Sequence, residues 1–395
     1  MKRTIAQKRL RFYNIDAVKI AKDIGLGGRI NTVLQAAFFK IAGVIPEADA
    51  FRYIKEAIKA SYGHRGEKVV AMNYAAVDSV DALEEIKYPA HWAEALDEVA
   101  ATSNEPEYIQ KIVRPVLAQE GDKLPVSVFS PDGVVPTGTT KYEKRGIAVE
   151  VPVWVTENCI QCNQCSFVCP HAAIRPYLAK EADLANKPES LNHKAAIGRE
   201  LAGLQYIMQV SPLDCTGCGN CVDVCPAKNK ALAMKFLEDV VDEQVANYEF
   251  VEQLPEVDVN VSPTTVKGSQ FRKPLFEFSG ACAGCGETPY IKLMTQLFGD
   301  RAIIANATGC SSIYGGSAPT CPYTVNAEGH GPAWANSLFE DNAEFGFGMS
   351  LAVEQKRERI AELATRLLDA PIADTLKSAL QAWLDGKDDA DASKA

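Results

Sequence analysis

Eight of the twelve cysteines in this 395-residue chain fall into two copies of one pattern. In each copy the cysteines are spaced C-x2-C-x2-C-x3-C, and a proline follows the fourth. The first run contains Cys159, Cys162, Cys165 and Cys169, and the second run contains Cys215, Cys218, Cys221 and Cys225. These runs constrain the fold more than any other feature, because all eight thiols must be brought to a site that uses this spacing.

The spacing is that of the bacterial run that binds [4Fe–4S] clusters, in which the fourth cysteine ligates the cluster of the other run. The sequence therefore predicts one cluster on Cys159, Cys162, Cys165 and Cys225, and another on Cys215, Cys218, Cys221 and Cys169. Small residues within the second run, such as Gly217 and Gly219, let backbone N–H groups turn toward the sulfurs. Such hydrogen bonds help to set the reduction potential.

Zinc sites and disulfides are the alternatives for these cysteines. A zinc ion takes four ligands, and two runs of four that each end in Cys-Pro have no use in a zinc ribbon. Disulfides require an oxidising compartment, and no apolar signal-peptide core follows the first basic residues, Lys2, Arg3 and Lys8. We therefore predict two [4Fe–4S] clusters, a reducing cytoplasm and a role in electron transfer.

Composition and length limit the remaining possibilities. The formal charge of −10 argues against a nucleic-acid-binding protein, which would present a basic face. No stretch approaches the roughly 20 apolar residues of a membrane-spanning helix, so we expect no membrane contact. The chain is long enough for two or three domains.

The first hundred residues are predicted to be helical. Apolar periodicity and end signals indicate helices over residues 15–24, 30–42 and 47–62, with Asn14 as the N-cap of the first. The glycine-rich residues 25–28 are interpreted as a helix end. A nucleotide-binding loop is excluded because Ile30 stands where its third glycine is required and a helix precedes it.

The rest of the chain divides by texture. Residues 101–150 are predicted to be a connector with short β-type runs, such as 126–129. Residues 151–236 form the cluster domain, with a helical insertion over 175–210. Residues 237–273, rich in acids, are interpreted as a surface linker. A new domain covers 274–395 and closes with two amphipathic helices whose apolar stripes are expected to face a core.

A third cysteine group lies in this last domain. Cys282 and Cys285 form another C-x2-C pair, and Cys310 follows the strand-like residues 302–305. An α/β fold places its sites at the C-terminal ends of strands, where Cys310 would lie. Three thiolates would hold three irons of a third cluster. Cys321 is a local candidate for the fourth ligand, which the sequence leaves open.

Four segments, in order, resemble the pyruvate:ferredoxin (flavodoxin) oxidoreductase family. They are residues 141–146 (KYEKRG), the two cysteine runs, residues 280–290 (GACAGCGETPY) and residues 306–316 (NATGCSSIYGG). The opening residues, to about 87, resemble the end of the family's γ-type domain. The resemblance covers essentially the whole chain.

The resemblance implies an α/β and α+β multidomain fold. Residues 1–100 would be the C-terminal part of an α/β γ-type domain, and 101–150 an EKR-type connector. A bacterial-type two-cluster ferredoxin-like domain (151–236) and the linker would then lead to the N-terminal part of a thiamine diphosphate-binding α/β domain (274–395).

The family decarboxylates pyruvate on thiamine diphosphate with Mg²⁺, passes the acetyl group to coenzyme A, and sends electrons through three [4Fe–4S] clusters to ferredoxin or flavodoxin. By resemblance, Cys282, Cys285 and Cys310 match three ligands of the third cluster. The family's fourth ligand would lie beyond residue 395, which makes Cys321 a packing thiol. Glu287, Gly309 and Ser311 match the wall around the thiamine. No histidine is expected to be catalytic, and His171 is expected to be solvated.

The family enzyme is about three times longer than this chain, and its pyruvate, coenzyme A and diphosphate sites would lie outside it. The resemblance therefore implies an internal fragment that is inactive alone, incomplete at the third cluster, and homodimeric when joined to the remainder of the oxidoreductase. One alternative is a stand-alone iron–sulfur subunit of a split 2-oxoacid:ferredoxin oxidoreductase. Another is a sister enzyme that acts on a different 2-oxoacid.

Overall fold

The computed structural model describes residues 1–96, 104–317, 319–336 and 342–394. It divides into two compact units, Met1–Ser103 and Asn104–Ala395. Among the described residues, no helix has both the length and the apolar character needed to cross a membrane. The mixture of helices and strands confirms the predicted α/β multidomain class.

The first unit is mainly helical. Its elements are α1 (Lys2–Gln7), β1 (Tyr13–Asn14), α2 (Ala17–Asp23), α3 (Asn31–Ala42), α4 (Glu47–Tyr62), α5 (Glu67–Asp78) and β2 (Glu84–Glu85), which pairs antiparallel with β1. Apolar residues of α3, α4 and α5, among them Val77, form a shared core. The predicted helices over 30–42 and 47–62 are confirmed to within one residue.

The predicted cap of α2 is wrong. The helix is capped by Asp16, whose carboxylate accepts a hydrogen bond from the Lys19 N–H at 2.9 Å. Asn14 is instead paired with Glu84 in the β1–β2 ladder. The predicted turn at 25–28 is confirmed, since Gly25 and Gly27 both have positive φ.

The second unit contains the cysteine runs. Its helices are α6 (Arg114–Leu117), α7 (Gln164–Phe167), α8 (Asn220–Asp223), α9 (Leu237–Val251), α10 (Val266–Ser269), α11 (Thr288–Phe298), α12 (Cys310–Ser312), α13 (Asn342–Leu368), α14 (Asp374–Gly386) and α15 (Ala390–Lys394). Its strands are β3 (Glu150–Trp154), β4 (Ile174–Lys180), β5 (Lys194–Ala195), β6 (Leu204–Val210), β7 (Leu232–Phe236), β8 (Ile303–Asn306) and β9 (Ala333–Asn336).

Two antiparallel sheets frame the cysteine runs. β3 pairs with β7, and β6 lies between β4 and β5, with Tyr177 opposite Ile207. The predicted helical insertion over 175–210 is therefore wrong. β6 is covered on both faces: Tyr206 and Met208 enter the core that contains the cysteines, whereas Ile207 enters the core beside α9. A strand covered on both faces lacks polar–apolar alternation, so it gives no clear strand signal.

The interpretation of residues 237–273 as a surface linker is wrong for the first part of that segment. The first part is α9, which buries Val240, Tyr248 and Val251. Its acidic residues, such as Glu238 and Glu243, occupy the exposed face. Residues 237–251 are therefore an amphipathic helix rather than a linker.

Two further expectations fail in the flanking regions. Residues Val126–Val128 form a single 3-10 turn rather than a strand. Near the end of the chain, Ile360, Leu363 and Leu367 of α13 are 44–52% exposed, so the predicted core-facing stripe is wrong.

The predicted strand before Cys310 is confirmed as β8, which pairs parallel with β9.

Candidate metal centre

The two cysteine runs adopt the same local backbone. Each run includes a short helix, α7 or α8, that carries its third cysteine. Equivalent positions are left-handed in both runs: Gln161 and Gly217 have φ of 58° and 68°, and Asn163 and Gly219 have φ of 61° and 80°. These turns wrap each run around its own thiols.

The first run holds its left-handed residues with buried side-chain hydrogen bonds. The Gln161 amide donates to the Ala195 carbonyl at 2.8 Å and accepts from the Ile197 N–H at 2.7 Å. Asn163 accepts from the Tyr206 hydroxyl at 2.8 Å. These bonds offset the strain of left-handed residues that are not glycine. No sequence motif marked them.

The second run uses glycine at both positions, for different reasons. A Cβ on Gly217 would lie 2.9 Å from the Glu150 carbonyl oxygen and 3.3 Å from the Ala148 Cβ. Gly219 faces open space, so only its positive φ favours glycine. Gly217 therefore lets the run approach β3 closely.

Four thiols accept hydrogen bonds from backbone N–H groups. The pairs are Gln161 N to Cys159 Sγ at 3.4 Å, Ala173 N to Cys169 Sγ at 3.3 Å, Gly217 N to Cys215 Sγ at 3.4 Å, and Ala231 N to Cys225 Sγ at 3.4 Å. Such bonds favour the thiolate form and tune a bound iron–sulfur cluster.

The structure brings Cys225 of the second run to the first group. The pKa of Cys165 is raised to about 12, mainly by burial and with contributions from the neighbouring Cys159, Cys162 and Cys225 thiolates. Cys225 is thus an electrostatic neighbour of Cys165, as the predicted crossed ligation requires.

Cys169, the last cysteine of the first run, lies beside the cysteines of the second run. The pKa of Cys215 is raised to about 12, mainly by burial. The Cys169 thiolate contributes to this increase, whereas the hydrogen bond from the Gly217 N–H lowers the pKa. One cavity is lined by Cys169, Cys215, Cys218 and Cys221, together with apolar neighbours such as Val210. The four predicted ligands of the second cluster therefore face a common space.

These surroundings fit an iron–sulfur cluster. Apolar side chains such as Met208 and Leu232 pack against the cysteines, so free thiolates are strongly disfavoured there. Metal coordination provides the compensation, because a coordinating thiol is deprotonated outright. The Thr216 hydroxyl, next to Cys215, is buried and has no hydrogen-bond partner among the described residues. A cluster sulfur would accept that hydrogen bond.

The third cysteine pair packs against the second run. Cys282 is exposed and Cys285 is partly buried. A Cβ on Gly284, between them, would lie 3.6 Å from the Cys218 Cβ. The Cys282 carbonyl oxygen also lies 3.3 Å from the His171 ring. The 282–285 loop therefore meets the second run directly.

The other two cysteines have different surroundings. Cys310 is exposed at the start of α12, which follows β8. Cys321 is buried in a cluster with Phe276, Tyr314 and Tyr323. The buried aromatic surroundings of Cys321 suit a thiol that only packs in the core.

The residues matched to the thiamine wall lie near one another. Glu287 directly precedes α11. Burial raises the pKa of Tyr314 and the Glu287 carboxylate raises it further, so Glu287 lies beside the turn over 313–317. Gly309 and Ser311 lie just before that turn, at the start of and within α12. The Gly309 N–H donates a hydrogen bond to the Ser312 hydroxyl at 2.9 Å.

Residues 143–145 connect the flanking segments, a role that the motif alone did not reveal. The Glu143 carboxylate accepts a hydrogen bond from the Thr320 hydroxyl. Lys144 forms an ion pair with Asp214, which directly precedes the second run, and its ammonium lies 5.1 Å from the Phe278 ring centroid. The connector therefore contacts both the cluster domain and residues 274–395.

The expectation that His171 is solvated is wrong. The side chain is buried, and its two ring nitrogens lie 3.0 Å and 3.3 Å from the carbonyl oxygens of Ser279 and Cys282. Nearby, Arg175 and Glu277 form a buried ion pair at 2.5 Å. Polar contacts thus join the cluster domain to the segment that follows it.

Family comparisons agree with this division of the chain. Residues 1–81 match the family described as pyruvate ferredoxin/flavodoxin oxidoreductase, and residues 95–148 match EKR, described as a domain of unknown function. Residues 158–229 match the 4Fe-4S dicluster domain family, which supports the predicted iron–sulfur clusters.

Individual relatives match over the whole chain. The pyruvate:ferredoxin oxidoreductase of Moorella thermoacetica is 68% identical over 100% of this chain. The chain is a homologue of pyruvate:ferredoxin (flavodoxin) oxidoreductases. The pyruvate-flavodoxin oxidoreductase of Klebsiella pneumoniae is 51% identical over 100% of the chain, and the mitochondrial pyruvate dehydrogenase [NADP(+)] of Euglena gracilis is 50% identical over 97%.

The chain spans only part of these relatives. It covers 34% of the Moorella and Klebsiella proteins and 21% of the Euglena protein. The resemblance inferred from the motifs is confirmed, and it extends across both units of the structure.

Gly217→Ala tests the close approach of the second run to β3. We expect the midpoint temperature of cluster loss, followed by visible absorbance, to fall more than in the control Gly219→Ala. Both variants carry the left-handed cost of about 1–2 kcal/mol, but only alanine at 217 meets the Glu150 carbonyl oxygen. Equal midpoints for the two variants would show that the contact is unimportant.

Cys225→Ser tests the crossed grouping. Its EPR spectrum and iron content should match those of Cys159→Ser rather than those of Cys215→Ser, because Cys225 lies with the first group. Cys321→Ser, in the aromatic cluster, should leave the spectrum unchanged. A Cys225→Ser spectrum that matches Cys215→Ser would contradict crossed ligation.

Proposed function

We propose that this chain is the electron-relay segment, with the first part of the thiamine domain, of a pyruvate:ferredoxin or flavodoxin oxidoreductase. The complete enzyme would convert pyruvate, coenzyme A and two equivalents of oxidised ferredoxin to acetyl-CoA, carbon dioxide, one proton and two equivalents of reduced ferredoxin. The single observation that carries this proposal is the serial arrangement of the three thiol groups.

That series begins at the 282–285 loop. The loop lies beside Glu287 on one side and contacts Cys218 on the other. The second group includes Cys169, which belongs to the first run, and the first group includes Cys225, which belongs to the second. The first two groups would therefore lie side by side, with the 282–285 loop against the second, and electron transfer between clusters needs such short distances.

The chain's own residues would hold the cofactors. Cys159, Cys162, Cys165 and Cys225 would ligate one [4Fe–4S] cluster, and Cys215, Cys218, Cys221 and Cys169 a second. Cys282, Cys285 and Cys310 would supply three ligands of a third cluster. When bound, such clusters accept and release single electrons. The apolar shell around the thiols excludes water, which lowers the local dielectric constant.

The two ends of the series would meet different partners. At one end, Glu287, Gly309 and Ser311 would line part of the site for thiamine diphosphate, with Mg²⁺ and pyruvate bound by the remainder of the oxidoreductase. At the other end, exposed Ile160 lies within the first run, where ferredoxin or flavodoxin would dock. Twelve free thiols suit a reducing cytoplasm, and we propose a homodimer for the complete enzyme.

A chimaera tests the whole function. We would replace the matching third of the Moorella thermoacetica enzyme with this chain, which is 68% identical to it. The chimaera should reduce ferredoxin or flavodoxin when both pyruvate and coenzyme A are present. Introducing Cys159→Ser should lower this rate at least about tenfold, because the cluster-binding spacing of the first run places Cys159 in the relay, whereas Cys321→Ser should preserve the rate.

The relay and the thiamine site can be tested separately in the same protein, whose pyruvate-binding part comes from the Moorella enzyme. If the chimaera carries electrons from dithionite to flavodoxin faster than the enzyme-free reaction but does not respond to pyruvate, the relay stands and the proposed role of Glu287, Gly309 and Ser311 at the thiamine site is wrong. If Cys159→Ser transfers electrons as fast as the parent from either donor, the relay itself is contradicted.

A further inference from the structure

Two lysine ammonium groups bind equivalent carbonyls at the ends of α7 and α8. Lys230 Nζ donates to the Asp223 and Cys225 carbonyl oxygens, each at 2.9 Å. In the first run the equivalent carbonyls, those of Phe167 and Cys169, accept from Lys292 Nζ at 3.1 Å and 3.2 Å. Each run therefore has a lysine ammonium at the equivalent position, although the two lysines come from different parts of the chain.

The two lysines differ in their surroundings. Lys230 is exposed and lies five residues after Cys225. Lys292 is 1% exposed, and it reaches back from α11 across 123 residues to Cys169. A charge in water is screened, whereas the same charge in a low-dielectric interior acts strongly on its neighbours.

The hydrogen bonds of Lys292 fit a protonated amine. Its partners are the carbonyl oxygens of Ser166, Phe167 and Cys169. Three acceptors match the three N–H groups of an ammonium. Burying such a charge is costly unless it is compensated, and these three carbonyl oxygens supply the compensation. A buried ammonium here suits a site whose negative charge increases on reduction.

We propose that Lys292 is a positioning residue that raises the reduction potential of the ferredoxin-type clusters, most strongly that of the cluster held by Cys169. Reduction adds one electron and no proton, so a fixed positive charge beside the ligands stabilises the reduced state. Because Lys292 belongs to α11, the potential depends on how that helix is seated against α7. The inference rests on the proposed electron-relay function.

The test uses the full chain, reconstituted anaerobically, in EPR-monitored redox titrations. In Lys292→Met, the ratio of oxidised to reduced cluster at the wild-type midpoint should rise about tenfold, equivalent to a fall of about 59 mV for one electron. Lys292→Gln should give the same shift, because it also lacks the charge. The matched control Lys230→Met should shift the ratio less than about twofold at 0.15 M salt, owing to screening.

Iron content separates the possible failures. Wild-type protein that binds no iron would refute the proposed function rather than this inference. If Lys292→Met or Lys292→Gln retains its clusters at the wild-type potential, the inference is overturned. If Lys292→Gln keeps the wild-type potential while Lys292→Met does not, hydrogen bonding rather than charge is responsible, which also overturns it. Loss of the clusters in both Lys292 variants, while Lys230→Met retains them, would show that Lys292 is needed to hold the clusters rather than to set their potential, which overturns the inference.

Discussion

Desolvation of the thiols is the constraint on which the cluster domain depends. Burial is the largest cause of the raised pKa values of Cys165 and Cys215, so free thiolates are disfavoured in this core. Metal coordination removes that penalty, so binding energy and folding energy are coupled. The strands β4, β6 and β7 supply the apolar walls, and the left-handed turns aim backbone N–H groups at the sulfurs.

The cluster domain is also held by polar contacts from its neighbours in the second unit. Lys144 pairs with Asp214 immediately before the second run, and Lys292 binds the carbonyls at the end of α7. The buried Arg175–Glu277 pair joins β4 to the segment that precedes the third cysteine pair. Breaking one side of such a pair leaves a buried charge without compensation. The relay is therefore built from three segments of the chain rather than from the ferredoxin-like part alone.

The sequence predicted what is local and missed what is long-range. The amphipathic period predicted α4 to the residue, and the cysteine spacing assigned Cys169 to the second run, whose cavity it lines. β6 was missed because both of its faces are covered, which removes the alternation that marks a strand. Lys292 gave no signal either, since a lysine in an amphipathic helix is ordinarily solvated, and its partners lie more than a hundred residues away. The ligand groups followed from the motif, but the residues that surround them required the structure.

Metal analysis tests the central claim most directly. The chain carrying Cys282→Ser, which keeps the third group out of the count, should bind about eight iron and eight acid-labile sulfide after anaerobic reconstitution, as two [4Fe–4S] clusters require. On reduction, its EPR spectrum should show two interacting paramagnetic clusters. About two zinc ions per chain with no labile sulfide, the result for two four-cysteine zinc sites, would contradict the account.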